Sequence, residues 1–106
     1  MAQFDVHRNK GRNRDTIPFI VVVQSSVFDG YRRRVVVPLV LKSALGRISH
    51  ASFNPSFQID RISVVLHPLE IVSVATDSLG EVAGSLASQG DRVTDALDQL
   101  LGTAWG

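Results

Sequence analysis

Two runs of branched aliphatic residues, Ile17 to Gln24 and Val35 to Leu41, constrain this chain more than anything else in it. Both are short for helices and rich in side chains that lose rotamer freedom in a helix but pack well on a pleated surface. They read as buried strands. Between them lies Ser25-Ser26-Val27-Phe28-Asp29-Gly30-Tyr31, in which Asp29-Gly30 is a turn dipeptide because glycine tolerates positive φ. Pro38 has no N–H to give to a ladder, so its strand is expected at a sheet edge or bulged there.

The rest of the chain completes a mostly β pattern that ends in one helix. Phe4 and Val6 alternate with polar neighbours as a short first strand, and Arg8 to Thr16 is a polar loop. Ser43 to Ser52 has room for a short helical turn. Asn54-Pro55 restarts the chain in extended form, because the residue before proline is pushed out of the α region. Phe57 and Ile59 alternate, and Ile62 to Leu66 and Leu69 to Ala75 read as strands. Val82, Ala83 and Leu86 suggest a helical turn, weakened by Gly80 and Gly84. From Asp91, the spacing of Val93, Ala96, Leu97, Leu100 and Leu101 predicts one helical face, with Ser88 or Asp91 as cap and Gly102 at the left-handed end. The expectation is one domain over residues 1–106: a mainly β, SH3-like barrel of antiparallel strands with a C-terminal α-helix, since closing the sheet leaves few bare edges.

Without cysteine, disulfides and thiolate metal sites are excluded, and His7, His50 and His67 lack paired ligand spacing, so no metal is expected. The longest aliphatic stretch is far short of a membrane span and the start has no apolar signal core, which points to a cytoplasmic protein that does not engage membranes. The net charge of +1 hides an asymmetry. Residues 1–53 carry +6 and residues 54–106 carry −5, with basic clusters at Arg8 to Arg14 and at Arg32-Arg33-Arg34. An anionic partner suits the first half, and charge alone separates neither nucleic acid nor an acidic peptide from solvated loops.

No catalytic constellation stands out: no nucleophile sits beside a histidine and no glycine-rich phosphate loop follows a strand. Asp95 and Asp98, three apart on the last helix, lie off its apolar stripe and read as solvated charge. The sole tryptophan, Trp105, is the next-to-last residue. It either folds back to close the core or is held out for a partner, since interface hot spots are enriched in tryptophan.

Val23-Gln24-Ser25-Ser26-Val27-Phe28-Asp29, then Arg33-Arg34 and Val36-Val37-Pro38-Leu39, resembles the N-terminal signature of the CcdB family of toxins. Met1 to Val6 resembles that family's opening strand, and Asn54-Pro55 with Phe57 and Ile59 its middle strand. Leu79-Gly80, Val82, Leu86, Val93, Ala96-Leu97-Asp98, Gly102 and Trp105-Gly106 follow its C-terminal pattern. The resemblance implies a homodimeric CcdB/MazF-like barrel, without cofactor or catalytic residue, that poisons DNA gyrase by binding its A subunit and trapping the cleaved complex. It implies Trp105 and Gly106 as the gripping tip, stacked on a target arginine, Val27 and Phe28 as flanking apolar contacts, and Asp98 or Leu101 as the helix contact. The isoleucine that follows Trp-Gly in the best-known toxin is absent here, and Gly102-Thr103-Ala104 lengthens the segment before Trp105. A CcdA-type antitoxin with an acidic tail would neutralise the toxin, docking at Arg8, Lys10, Arg12 and Arg14, and the pair would repress its own operon, touching operator DNA only through the antitoxin complex.

Two other function classes compete with that expectation. One is a MazF-like endoribonuclease toxin acting on messenger RNA without metal, a class belonging to the same wider fold. The other is a bare nucleic-acid-binding barrel using Arg8, Arg12, Arg32 and Arg33. Against the latter, the aromatics do not read as interleaved with the basic clusters in the manner of a stacking platform.

Overall fold

The structure, a computed structural model, describes residues 2–48 and 50–102. Its strands are β1 Asp5–Asn9, β2 Phe19–Val22, β3 Arg33–Leu41, β4 Ser56–Ile59, β5 Ile62–Leu66, β6 Val72–Ala75 and β7 Leu79–Ser85, with helices α1 Lys42–Leu45 and α2 Gly90–Leu101. All pairings are antiparallel, in the order β4-β5-β3-β2-β1-β7, with β6 also paired to β3.

β3 organises the sheet. One edge is paired with β2 from Val36 to Leu39, while the other is shared by β6, over Arg33 to Val36, and β5, over Leu39 to Leu41. Pro38 falls where the second edge changes partner. Its carbonyl accepts from the His67 N–H at 3.1 Å, so its missing N–H faces the same gap and no ladder bond is lost. The expectation of an edge or bulged strand is thus corrected: Pro38 is buried in the middle of the sheet.

Alternation along these strands builds two apolar faces. Val6, Phe19, Val21, Val37, Leu39, Phe57, Ile59, Val64 and Leu66 join Leu86, Val93 and Ala96 in the main core, beneath α2. Ile20, Val22, Val36 and Leu79 form a second cluster on the opposite face. Each fully buried aliphatic or phenyl side chain stabilises the fold by roughly 1.5–3 kcal/mol. α2 follows the predicted stripe, with Val93 and Ala96 buried, and closes at Gly102 with φ 65°. Its N-cap is Gln89 rather than Ser88 or Asp91, because a short 3-10 turn at Ala87–Gln89 leads into it.

The sheet curls without closing. Among the described residues β4 and β7 share no ladder, although Arg8 of β1 spans the gap, bonding Asp60 at 3.3 Å and Glu81 at 3.1 Å. The result is a curled, open half-barrel in place of the closed SH3-like barrel expected. The β4–β5 hairpin turns on Asp60 and Arg61, both at positive φ (51° and 67°), the geometry that matches strand twist in two-residue turns.

Two readings change at the ends of the sheet. β1 runs on through Arg8 to Asn9, so the first basic cluster begins inside a strand. Val82 and Ala83, read with Leu86 as a helical turn, lie in β7, Leu79–Ser85, which pairs with β1. Register shifts between Val6, His7 and Asn9 break the two-residue period, which is why the pattern misled. Gly80 is required by this pairing: a Cβ there would lie 2.5 Å from the Arg8 carbonyl oxygen. Gly80→Ala is therefore expected to lower stability by about 1–3 kcal/mol, read as a fall in thermal midpoint. Gly30→Ala, with nothing within 4 Å of the added carbon, should stay within about 0.5 kcal/mol.

Candidate functional site

Between β2 and β3 the chain makes a loop whose polar groups turn inward. Ser25 caps the 3-10 turn Ser26–Phe28, its Oγ accepting from the Val27 N–H at 3.3 Å. Gln24 holds the loop to the sheet: its amide nitrogen donates to the carbonyls of Phe28 (3.2 Å) and Arg33 (3.4 Å), and its oxygen accepts from the Val35 N–H at 3.1 Å. Arg34, only 5% exposed, gathers carbonyls of the same loop. Its Nη1 donates to Tyr31 (2.6 Å) and Arg33 (2.9 Å), and Nη2 to Asp29 (2.9 Å). The Asp29 carboxylate stands 3.8 Å from Arg34 Nε, near enough to balance charge but too long for a hydrogen bond. A buried guanidinium is held here mainly by backbone carbonyls.

With the carbonyls drawn in, the large side chains point out. Val27, Phe28 and Tyr31 are 83%, 50% and 68% exposed, and the rings of Phe28 and Tyr31 lie 6.2 Å apart, tilted by 53°. An open cavity of about 550 Å³ is lined by Val23 and Val35, these two rings, Arg32 and Arg33, together with Gln24 and Ser25. Arg33 is fixed by Ser73 of β6, donating Nε to its hydroxyl at 2.8 Å and Nη2 to its carbonyl at 2.7 Å. Among the described residues, none that lines this cavity is acidic. A second open cavity of about 620 Å³ lies over Ile20, Val36, Pro38, Val72 and Val74, but Glu70 and Asp77 border it and the Lys10 ammonium already bonds the Asp77 carbonyl at 3.2 Å. The charge difference makes the first cavity the one suited to an anionic ligand.

The residues singled out by sequence do not meet at one place. Phe4 and Gln3 link the Val27–Phe28 loop to the start of α2: the Gln3 N–H meets Ser26 Oγ at 3.5 Å, and the Phe4 ring lies against Gly90. Asp98 and the 82% exposed Leu101 lie towards the other end of that helix, about 12 Å and about 16 Å along its axis from Gly90. Trp105 and Gly106 lie outside the described residues. Of the first basic cluster, Arg8 is held by Asp60 and Glu81 and stacks over the Phe19 ring at 5.6 Å, whereas Arg12 and Arg14 are exposed. The cavity combines residues the sequence reading kept apart. Phe28 and Tyr31 flank the second basic cluster, contrary to the expectation that aromatics and arginines are not interleaved, and the spacing Phe28-x-x-Tyr31-Arg32-Arg33 was the available signal.

The sequence profile of the CcdB protein family matches residues 3–102. The chain belongs to the CcdB family. No curated protein matches it in sequence. Solved structures share its fold over the full length. One is an endoribonuclease in complex with its cognate antitoxin from a mycobacterial species, with TM-score 0.78 at 16% identity, covering 100% of this chain and 99% of that one. A second mycobacterial endoribonuclease has TM-score 0.73, again at 16% identity, covering 100% and 95%. The fold is thus a small antiparallel-β domain shared by the CcdB family and these two endoribonucleases. These full-length likenesses to endoribonucleases overturn the expectation of a non-enzymatic gyrase poison with the gyrase A subunit as partner.

The loop's dependence on its buried cation is measurable. Arg34→Met should lower unfolding free energy by about 3–5 kcal/mol in urea denaturation, because three carbonyls lose a donor and the Asp29 carboxylate loses its balancing charge. Arg12→Met, on the exposed loop, should change it by less than about 0.5 kcal/mol.

Proposed function

We propose that this chain is the toxin of a two-component toxin–antitoxin system and cleaves single-stranded RNA without a metal, with messenger RNA as the target class. The observation that carries this reading is the cavity beside β3, where two exposed rings stand next to Arg32 and Arg33 with no acid between them. Aromatic faces hold unstacked bases and arginines hold the backbone, the pairing of groups that single-stranded nucleic acid needs. The full-length fold likeness to endoribonucleases supports the same reading.

The chemistry asks little of a cofactor. The ribose 2′-oxygen attacks the neighbouring phosphorus as its proton passes to water, the bond to the 5′-oxygen breaks as that oxygen takes a proton from water, and a 2′,3′-cyclic phosphate and a 5′-hydroxyl result. Negative charge builds on the non-bridging oxygens, and a guanidinium fixed in place stabilises it without reorganising. Arg33, held by Ser73 through Nε and Nη2, is fixed in that way. Arg32, exposed and without a side-chain hydrogen bond among the described residues, can follow the adjoining phosphate.

An antitoxin completes the system, as it does for the mycobacterial endoribonuclease solved with its own. An acidic segment of that partner would meet Arg12 and Arg14, the two exposed arginines of the first basic cluster. A messenger RNA target fits a cytoplasmic protein, and no helix among the described residues is long and apolar enough to cross a membrane.

Purified protein should cut single-stranded RNA in EDTA and leave cyclic phosphate ends. Replacing Arg32 and Arg33 together by serine should slow cleavage at least about tenfold and flatten the salt dependence of binding by roughly 0.7 log units for each phosphate that is no longer neutralised. RNA that stays intact at stoichiometric protein would defeat the reading. Reversing charge at Arg12 and Arg14 should weaken antitoxin binding, measured by titration calorimetry at low salt, while leaving cleavage unchanged.

A further inference from the structure

We infer that Ser73 is a positioning residue for RNA cleavage: it occupies one side of the Arg33 guanidinium and leaves the other side for the substrate, while Arg32 stays free to bind. This rests on the RNA reading above and names the residue that divides the work of the two arginines.

The arrangement begins with strand register. Arg33 stands opposite Ala75 and Val35 opposite Ser73, so Ser73 is the diagonal neighbour of Arg33 on one face of the sheet, within reach of a long side chain. Both backbone groups of Val35 are engaged away from β6: its carbonyl accepts from the Val23 N–H at 3.0 Å, and its N–H donates to Gln24 Oε1 at 3.1 Å. In an antiparallel pair the residue opposite such a position also turns its carbonyl outward. The Ser73 carbonyl therefore lies on the outer edge of β6, where no further strand pairs among the described residues. Arg33 reaches across β6 to it, donating Nη2 to that carbonyl at 2.7 Å and Nε to the Ser73 hydroxyl at 2.8 Å.

A guanidinium presents its N–H groups in one rigid plane. Nε and the inner hydrogen of Nη2 make its side-on pair, and both are spent on Ser73. Nη1 and the outer hydrogen of Nη2 remain, an end-on pair that matches two oxygens of one phosphate. Pinned from behind, this pair keeps its aim as charge builds on the non-bridging oxygens, so its contribution grows in the transition state. Arg32 is exposed and makes no side-chain hydrogen bond among the described residues, so it turns with the bound chain and serves substrate and transition state alike. Arg34 is buried on the carbonyls of Asp29, Tyr31 and Arg33. Three consecutive arginines thus carry three tasks, and the neighbours each one finds decide which.

The test is steady-state cleavage of a short fluorescent RNA in EDTA by the full-length protein, with thermal midpoints measured alongside. Ser73→Ala, which keeps the carbonyl and removes the hydroxyl, should lower kcat about 3- to 10-fold and leave KM within about twofold. Ser73→Thr, which returns a hydroxyl on a side chain suited to a strand, should recover the lost kcat. Arg32→Ser should raise KM more than it lowers kcat. In an Arg33→Ser background, Ser73→Ala should alter kcat by less than about twofold, because the two residues act as a unit. The NMR signal of the Arg33 Nε–H gives a readout apart from activity: its exchange with water should quicken in Ser73→Ala and slow again in Ser73→Thr. An equal loss of kcat with and without Arg33, a loss that Ser73→Thr does not repair, or an Nε–H signal indifferent to Ser73 overturns the inference while RNA cleavage stands. If the wild-type protein cuts no RNA, the ribonuclease reading falls even where the Nε–H signal responds, and the positioning role of Ser73 falls with it.

Discussion

The fold depends on one strand being able to change partners along a single edge. β3 is nine residues long and pairs with β2 on one side, while β6 and then β5 take the other. The two partners share one edge of β3 end to end, and the twisted sheet curls so that its two faces carry separate apolar clusters. Pro38 marks the changeover, a residue without a donor placed where no donor is needed. The same division puts β6 beside the start of β3, which brings Ser73 to Arg33 and so builds one wall of the candidate site.

The second organising element is Arg34. A buried cation ordinarily requires a close carboxylate, yet Asp29 stands 3.8 Å away and the nearest oxygens belong to the backbone. The consequence is geometric as much as energetic. Carbonyls that would face solvent are turned inward, and Phe28, Tyr31 and Arg32 are left outside on a loop with little freedom. A preorganised surface loses less entropy on binding than a mobile one, so a small cavity of this kind can hold a single-stranded ligand with few contacts.

The residues that carry the family resemblance are mostly those that build the fold. Val36, Val37, Pro38 and Leu39 are buried in β3, Phe57 and Ile59 in β4, and Leu86, Val93 and Ala96 under α2. Gln24 and Ser25 serve the loop's own backbone. Such positions specify a shape and say nothing of what the shape acts upon, which is why a sound family assignment led to a target that the full-length structural likenesses did not support.

Strands β2, β3 and β5, the amphipathic face of α2 and its glycine stop were legible in the sequence because each is set by local rules: side-chain branching, periodicity and backbone freedom at positive φ. β7 was not, since its register shifts against β1 erase the alternation that marks a strand. Nor was the open curl, which depends on how two distant segments divide one edge of β3. The candidate site lay half in view. Phe28, Tyr31, Arg32 and Arg33 are neighbours in the chain, but their exposure follows from Arg34 and Gln24 binding carbonyls across the loop, and Arg33 is fixed by Ser73 from forty residues away. Local propensity determined which segments would be strands and helix; long-range pairing alone decided which side chains were left facing outward, because a side chain's direction is fixed by the partner its backbone finds.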